Sequence, residues 1–270
     1  MAKTIKKLYY SIGEVSKITG LKQYVFRHLP WFDQGLPVLV VGKDGIGKFK
    51  TTPLSSSGNN RSIINWNIDL SDDGSATVEG NTQLYGAFAS DLRELLLYSS
   101  PEGKRNWVDM YLSDRCSCTR LDTFCFEGTY PSSDPLTVKY TFSTEAFSVI
   151  EKDQMLIYPS QIIDFDLPDF FRTLKRVQPI QMKHDSQTIL NLNIRLPGQY
   201  ILTNTGLSDS LTSKFGSGMW ETVNTDSTIK VLSDYKTKSG SIEPEDYPDF
   251  QRFIDDIRKR DLRPLILSKR

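Results

Sequence analysis

Three cysteines, two histidines, a glycine-lysine loop and several acidic pairs are the parts of this sequence that could carry chemistry. Cys116, Cys118 and Cys125 form a C-x-C-x6-C pattern. A structural zinc site wants four ligands, commonly with C-x2-C spacing. His184 lies far beyond Cys125 and His28 far before Cys116, so a metal site or a Cys–His nucleophile would need tertiary convergence and an orienting third group. Structural thiols are the expectation, and an odd count of three is a poor disulfide framework that fits a reducing compartment. Gly42-Lys43-Asp44-Gly45-Ile46-Gly47-Lys48 matches the G-x-x-x-x-G-K part of a phosphate-binding loop. Phe49 then stands where a hydroxyl would hold magnesium, and Phe49–Pro53 reads as a strand, not as the helix whose N–H groups would face the phosphate. A hairpin turn in which glycines supply positive φ is the expectation there. Asp164/Asp166 and Asp255/Asp256 carry no acid–base signature. No catalytic residue, cofactor or metal ligand is therefore assigned, and the chain is expected not to be an enzyme.

The elements that would position such groups are mostly strands. Asp72-Asp73-Gly74 is a hairpin signal between Ser62–Leu70 and Ala76–Leu84. Leu136–Phe142 alternates, as does Ile189–Leu196, where Asn191, Asn193 and Arg195 separate the apolar positions. Thr228–Leu232 and Tyr235–Lys238 continue the pattern, and Val38–Val41 reads as a short buried run. No internal repeat and no low-complexity tract stand out. Helices are expected over 87–113, with Phe88, Leu92, Leu95 and Leu96 at helical spacing. Pro101 opens a second helix there, with Trp107, Met110 and Tyr111 inward. A third helix starts at Glu243-Pro244-Glu245 and carries the stripe Tyr247, Phe250, Phe253, Ile254 and Ile257. Ser11 to Gly20, with a capping box at Ser11 and Glu14, and Leu21 to His28 make a further helical pair. A Pro- and Asp-rich break near Tyr158–Asp169 is the expected linker between two modules.

Charge narrows the function classes. The chain of 270 residues has 33 basic and 33 acidic side chains, so it is not an electrostatic nucleic-acid binder as a whole. Residues 1–28 differ: Lys3, Lys6, Lys7, Lys17, Lys22 and Arg27 stand against Glu14 alone. No secretory signal and no membrane-length apolar run is apparent, so the expected location is the cytoplasm, with no membrane partner.

Two resemblances add to this reading. Residues 7–27, with Tyr10-Ser11-Ile12-Gly13-Glu14, the Thr19-Gly20 turn and the helix after it, resemble the N-terminal helix-turn-helix of MerR-family transcription regulators. That resemblance implies that Lys22, Gln23, Tyr24 and Arg27 face DNA. His28-Leu29-Pro30-Trp31 then cuts the recognition helix short, and no wing or coiled coil follows. From about Leu29 to the end, the chain resembles the C-terminal β-domains of bacterial transglutaminase-like proteins. The carrying segments are Leu29–Gly35, Thr52–Ser55 to Asn59–Arg61, Asp69–Gly80, Pro244–Phe250 and Pro264–Leu267. The family's catalytic Cys, His and Asp would lie upstream of the Leu-Pro-Trp segment and are not in this chain.

Together these imply a mainly β chain: β-sandwich-like modules over 29–160, with a helical insertion at 87–113, and over 161–270, with a C-terminal helix, behind a truncated helix-turn-helix at 1–28. The implied function is a non-catalytic structural or protein-interaction role, joined by fusion to a DNA-binding motif; the alternative is a MerR-family DNA-binding regulator. The expected partners are duplex DNA through residues 1–28 and another protein through the β-domains, with no small-molecule substrate identified.

Overall fold

The computed structural model describes residues 37–41, 47–51, 60–129, 135–162, 176–182, 184–204, 208–225, 227–261 and 263–269. The expected helix-turn-helix, with Lys22, Gln23, Tyr24 and Arg27, lies outside the described residues, as do 163–169 of the expected linker. In chain order the strands are β1 (Pro37–Val41), β2 (Gly47–Thr51), β3 (Arg61–Leu70), β4 (Ala76–Leu84), β5 (Thr119–Glu127), β6 (Leu136–Thr144), β7 (Val149–Glu151) and β8 (Gln154–Ile157). Then come β9 (Ile180–Met182), β10 (Ser186–Arg195), β11 (Tyr200–Leu202), β12 (Asp209–Ser213), β13 (Gly216–Asn224), β14 (Thr228–Thr237), β15 (Gly240–Ile242) and β16 (Leu265–Lys269). The α-helices among the described residues are α1 (Ala87–Tyr98), α2 (Pro101–Ser113) and α3 (Tyr247–Asp261). The mainly β fold class holds.

The centre is one eight-stranded sheet, ordered β12-β13-β14-β10-β3-β4-β6-β5. Every neighbouring pair in it is antiparallel except β3 with β10, which run parallel. Strands from both sides of residue 160 therefore share one sheet. A four-stranded sheet, β11-β16-β8-β7, and the pair β15-β9 complete the strands of the main body. β3 and β4 form the expected hairpin. Gly74 has φ +84°, a conformation that a side chain resists. Asp73 accepts from the Ser75 hydroxyl at 2.6 Å and from its N–H at 3.0 Å. The hydroxyl bond is the larger cause holding that carboxyl below its ordinary range.

One face of the large sheet is the core. Ile64, Trp66, Ile68, Val78, Val138, Tyr140, Phe142, Leu190, Leu192, Ile194 and Ile229 point into it, together with buried residues of the helices and of the smaller sheet. Ser100 caps α2, its hydroxyl accepting from the Gly103 N–H at 3.1 Å, with Pro101 in the first helical position as expected. That helix buries Val108 and Leu112 and rests Trp107 and Tyr111 on the core, with Trp107 against Phe126 and Tyr111 against Tyr140. Met110 is 65% exposed, not inward: at 100° per residue it falls outside the arc shared by 107, 108, 111 and 112. Leu95 is left outward by the same geometry on α1, whose buried arc is Ala89, Leu92, Arg93 and Leu96.

Helix α3 begins at Tyr247, because residues 243–246 form a turn in which Asp246 N–H donates to the Glu243 carbonyl at 3.0 Å. All five apolar stripe residues are buried, and Phe250 meets Phe215 at 5.1 Å between ring centroids. Each contributes about 1.5–3 kcal/mol relative to exposure.

Three expectations change. Thr228–Leu232 and Tyr235–Lys238 are one strand, since Ser233 is buried within β14 and does not turn it. The Val38–Val41 run is not a buried core strand: Leu39 pairs with Phe49, and both are exposed. Strand pairing also links β3 to β10 residue by residue. The hexapeptides Ile64-Asn-Trp-Asn-Ile-Asp69 and Leu190-Asn-Leu-Asn-Ile-Arg195 lie in that register, a short shared pattern where no repeat was expected.

Candidate functional site

The outer face of the eight-stranded sheet carries an array of hydrogen-bonded asparagines. Period-2 alternation sends Trp66 and Ile68 inward, so Asn65, Asn67 and Asp69 must point outward, and the same holds for Asn191, Asn193 and Arg195 on β10. Register then sets them side by side. One row across the strands reads Val223, Lys230, Asn193, Asn67, Glu79, Thr141. The next reads Glu221, Leu232, Asn191, Asn65, Asn81, Lys139. Adjacent strands stand about 4.8 Å apart, so each row is a ladder of side chains at that spacing, polar but for Val223 in one and Leu232 in the other.

The amides in these rows bond to one another. Asn191 Nδ2 donates to Asn65 Oδ1 at 2.8 Å, and Asn65 Nδ2 donates to Asn81 Oδ1 at 3.0 Å. Asn193 Nδ2 donates to Asn67 Oδ1 at 3.3 Å. Each such cross-strand pair contributes about 0.2–1 kcal/mol. An amide has two N–H donors and two acceptor lone pairs, so this chain of bonds uses only part of its capacity and leaves the rest facing out. Ion pairs close over much of the surrounding charge. Arg195 meets Asp69 at 2.6 Å and Lys139 meets Glu127 at 2.7 Å; the bond to Glu127 holds the Lys139 ammonium above its ordinary value.

Two shallow depressions lie in this face. One, of about 370 Å³, is lined by the four asparagines Asn65, Asn67, Asn191 and Asn193 and, on the neighbouring strands, by Val223, Leu232, Glu221 and Lys230. The other, of about 410 Å³, takes in Asn67, Asn193, Glu79, Asp69, Asp122, Thr141 and Arg195. They lie side by side and share Asn67 and Asn193 in their walls, making a trough of two adjoining depressions across the β3–β10 junction.

The inner face holds a different polar group. Trp66 Nε1 donates to the Tyr140 hydroxyl at 2.8 Å across Gly80, and Thr82 bonds both Tyr140 and Tyr111, at 2.9 and 2.8 Å. Burial pushes the Tyr140 hydroxyl well above its ordinary pKa, so it remains a protonated hydrogen-bonding group in the core. In the other half of the sheet, Trp220 Nε1 donates to the Tyr235 hydroxyl.

The residues that first suggested chemistry are dispersed. Cys116 is buried and its thiol is pushed by that burial up to about 12, while Cys118 and Cys125 are exposed; all three are free. Among the described residues no group of three or more His, Cys, Asp or Glu could hold a metal ion. His184 packs edge-on to Phe88. Lys48 and Phe49 lie in strand β2, antiparallel to β1, so no helix follows the glycine-lysine loop and the phosphate-loop reading falls. Asn191, Asn193 and Arg195 were visible in the sequence only as the polar half of an alternating strand. Asn65 and Asn67 lie in an equally polar half of β3, and the matching apolar-Asn-apolar-Asn-Ile pattern was the signal that could have joined them. No helix among the described residues is long and apolar enough to cross a membrane.

No curated protein matches the chain. Among solved structures, it is similar to a chain from Parabacteroides distasonis described as "a putative protease", at 17% identity and a TM-score of 0.32. The aligned part covers 36% of this chain and 19% of that one. Residues 155–267, from β8 to β16, match the family model of the domain of unknown function DUF3858.

Proposed function

We propose that this chain is a non-catalytic β-domain region of a transglutaminase-like protein, serving as structural support and as a contact surface for another protein. The observation that carries this reading is the single eight-stranded sheet built from both sides of residue 160, with its apolar face committed to the core and its polar face open. A continuous sheet of this kind is a stiff platform, and binding residues placed on strands are held more precisely than on loops. The long resemblance of residues 29–270 to the C-terminal β-domains of that family supports the assignment, and the match of residues 155–267 to a domain family is compatible with it. Transamidation and peptidase assays on the purified chain test it. The expected result is no activity above background; reproducible turnover would overturn the reading.

A second reading, duplex-DNA binding through residues 1–28, is supported by the six basic residues set there against Glu14. Binding to duplex DNA should fall steeply as salt rises and weaken on Lys22→Ala or Arg27→Ala. Binding that responds to neither salt nor these substitutions excludes it.

A further inference from the structure

We propose that the trough across the β3–β10 junction is a binding site for a neutral polyhydroxylated chain, an oligosaccharide built of pyranose rings. This goes beyond the contact-surface reading and does not depend on it.

The ligand class follows from what the trough offers. Its four asparagines present N–H donors and carbonyl acceptors side by side, and Glu79 and Thr141 extend the same line. Vicinal hydroxyls, each both donor and acceptor, match such groups pair by pair. Beside the amides in the same rows, Val223 and Leu232 give an apolar patch that suits the C–H face of a sugar ring. Each depression falls in the size range of small-ligand sites, and because the two adjoin at Asn67 and Asn193 they suit a chain better than a single ring.

Charge argues against the alternatives. An anionic ligand would meet Glu79, Asp122 and Glu221. Of the lining's two cationic side chains, Arg195 is already paired with Asp69, which leaves Lys230 against those three carboxylates. A peptide is also poorly served. Peptide recognition on sheets draws mainly on the free backbone groups of an edge strand, whereas β3, β4, β10 and β14 are interior strands paired on both sides. Only side chains are available in the trough, which favours a ligand whose polar groups are spread around rings.

The test uses the full chain, labelled with 15N, and neutral hexasaccharides of glucose (β-1,4 and α-1,4), mannose and xylose. At least one should saturably shift the side-chain amide signals of Asn65, Asn67, Asn191 and Asn193, with an affinity insensitive to salt. The double variant Asn67→Thr/Asn193→Thr, which keeps strand-compatible residues at exposed positions, should weaken that binding about tenfold, the scale of two neutral hydrogen bonds, without lowering the thermal midpoint. Three results overturn the proposal: no shift with any of the four sugars at millimolar concentration, binding that the double variant leaves unchanged, or the same signals responding to a lysine-rich decapeptide and not to sugars.

Discussion

The two halves of the central sheet solve the same packing problem at different depths. In the half made of β3, β4, β6 and β5, Trp66, Gly80 and Tyr140 occupy one register row on three adjacent strands. The indole crosses over the glycine to reach the tyrosine hydroxyl, and both rings are almost wholly buried. In the half made of β12, β13, β14 and β10, Gly218 and Trp220 share strand β13, and Gly218 sits opposite Tyr235. There Trp220 leans over its own strand's glycine and remains half-buried. The same pair of rings and the same hydrogen bond are thus a core element in one half and closer to a lid in the other. Helix α2 accounts for the difference, since it closes over the first pair and adds Tyr111, whose hydroxyl bonds Thr82 of β4 and so joins the network.

The largest test of this contrast is deletion of the indoles. Trp66→Ala should cost about 3–5 kcal/mol in chemical denaturation, because the cavity it leaves is enclosed. Trp220→Ala should cost roughly 2 kcal/mol or less, since solvent can fill part of the space. Equal losses would break the comparison. The glycines come next. A Cβ at Gly80 would lie 2.3 Å from Tyr140 and 2.8 Å from Trp66, both fixed in the core. Gly80→Ala should therefore destabilise by about 1–3 kcal/mol or more. Gly218→Ala meets the Trp220 ring at 2.5 Å, and that ring can swing outward, so the loss should be smaller in the same melt.

The hydroxyls sharpen it further. Tyr140→Phe strips partners from Trp66 and Thr82 inside the core and should cost about 1–3 kcal/mol, against about 1 kcal/mol for Tyr235→Phe.

Cysteine placement gives a pH test confined to the first half, which holds all three thiols. Cys116 ionises at about 12 when folded, against an ordinary value of 9.0. Above pH 9 the unfolded chain has released this proton and the folded chain retains it. Stability from this group therefore falls as pH rises from 9 towards 12, at about 1.4 kcal/mol per pH step. Cys116→Ala should flatten that slope, and in native buffer Cys118 and Cys125 should alkylate while Cys116 resists. Arg195→Ala, which breaks the exposed pair with Asp69 between the halves, should have the smallest effect, about 1 kcal/mol or less.

Local signals made parts of this fold legible. The Asp72-Asp73-Gly74 turn and its flanking alternation, Pro101 at the head of α2 and the α3 stripe are all written within a few residues of the structures they form. What was hidden depends on partners far along the chain. β5 breaks its alternation at a bulge between Leu121 and Thr123, and β12 and β13 are rich in Ser, Thr and Gly, so none of the three announced itself as a strand. Met110 has a helical spacing that fits an inward face, and only the position of the sheet decides that it points away. The trough was the least legible feature, because no single segment contains it. Asn65 and Asn191 become neighbours only through a parallel pairing 126 residues apart in sequence.

That pairing also shapes how the molecule comes into being. Antiparallel neighbours such as β3 and β4 can zip from a short turn, but β3 and β10 meet only after a very long loop closes, an entropic toll that slows folding. Until β10 arrives, β3 is an open edge carrying Ile64, Trp66 and Ile68 on its apolar face, a template for any other strand nearby. A nascent or truncated chain ending before Ser186 would expose that edge, whereas the finished sheet moves its edges outward to the five-residue β12 and the bulged β5, both poor templates. The junction that places four asparagines side by side is therefore also the chain's main safeguard against pairing with the wrong neighbour.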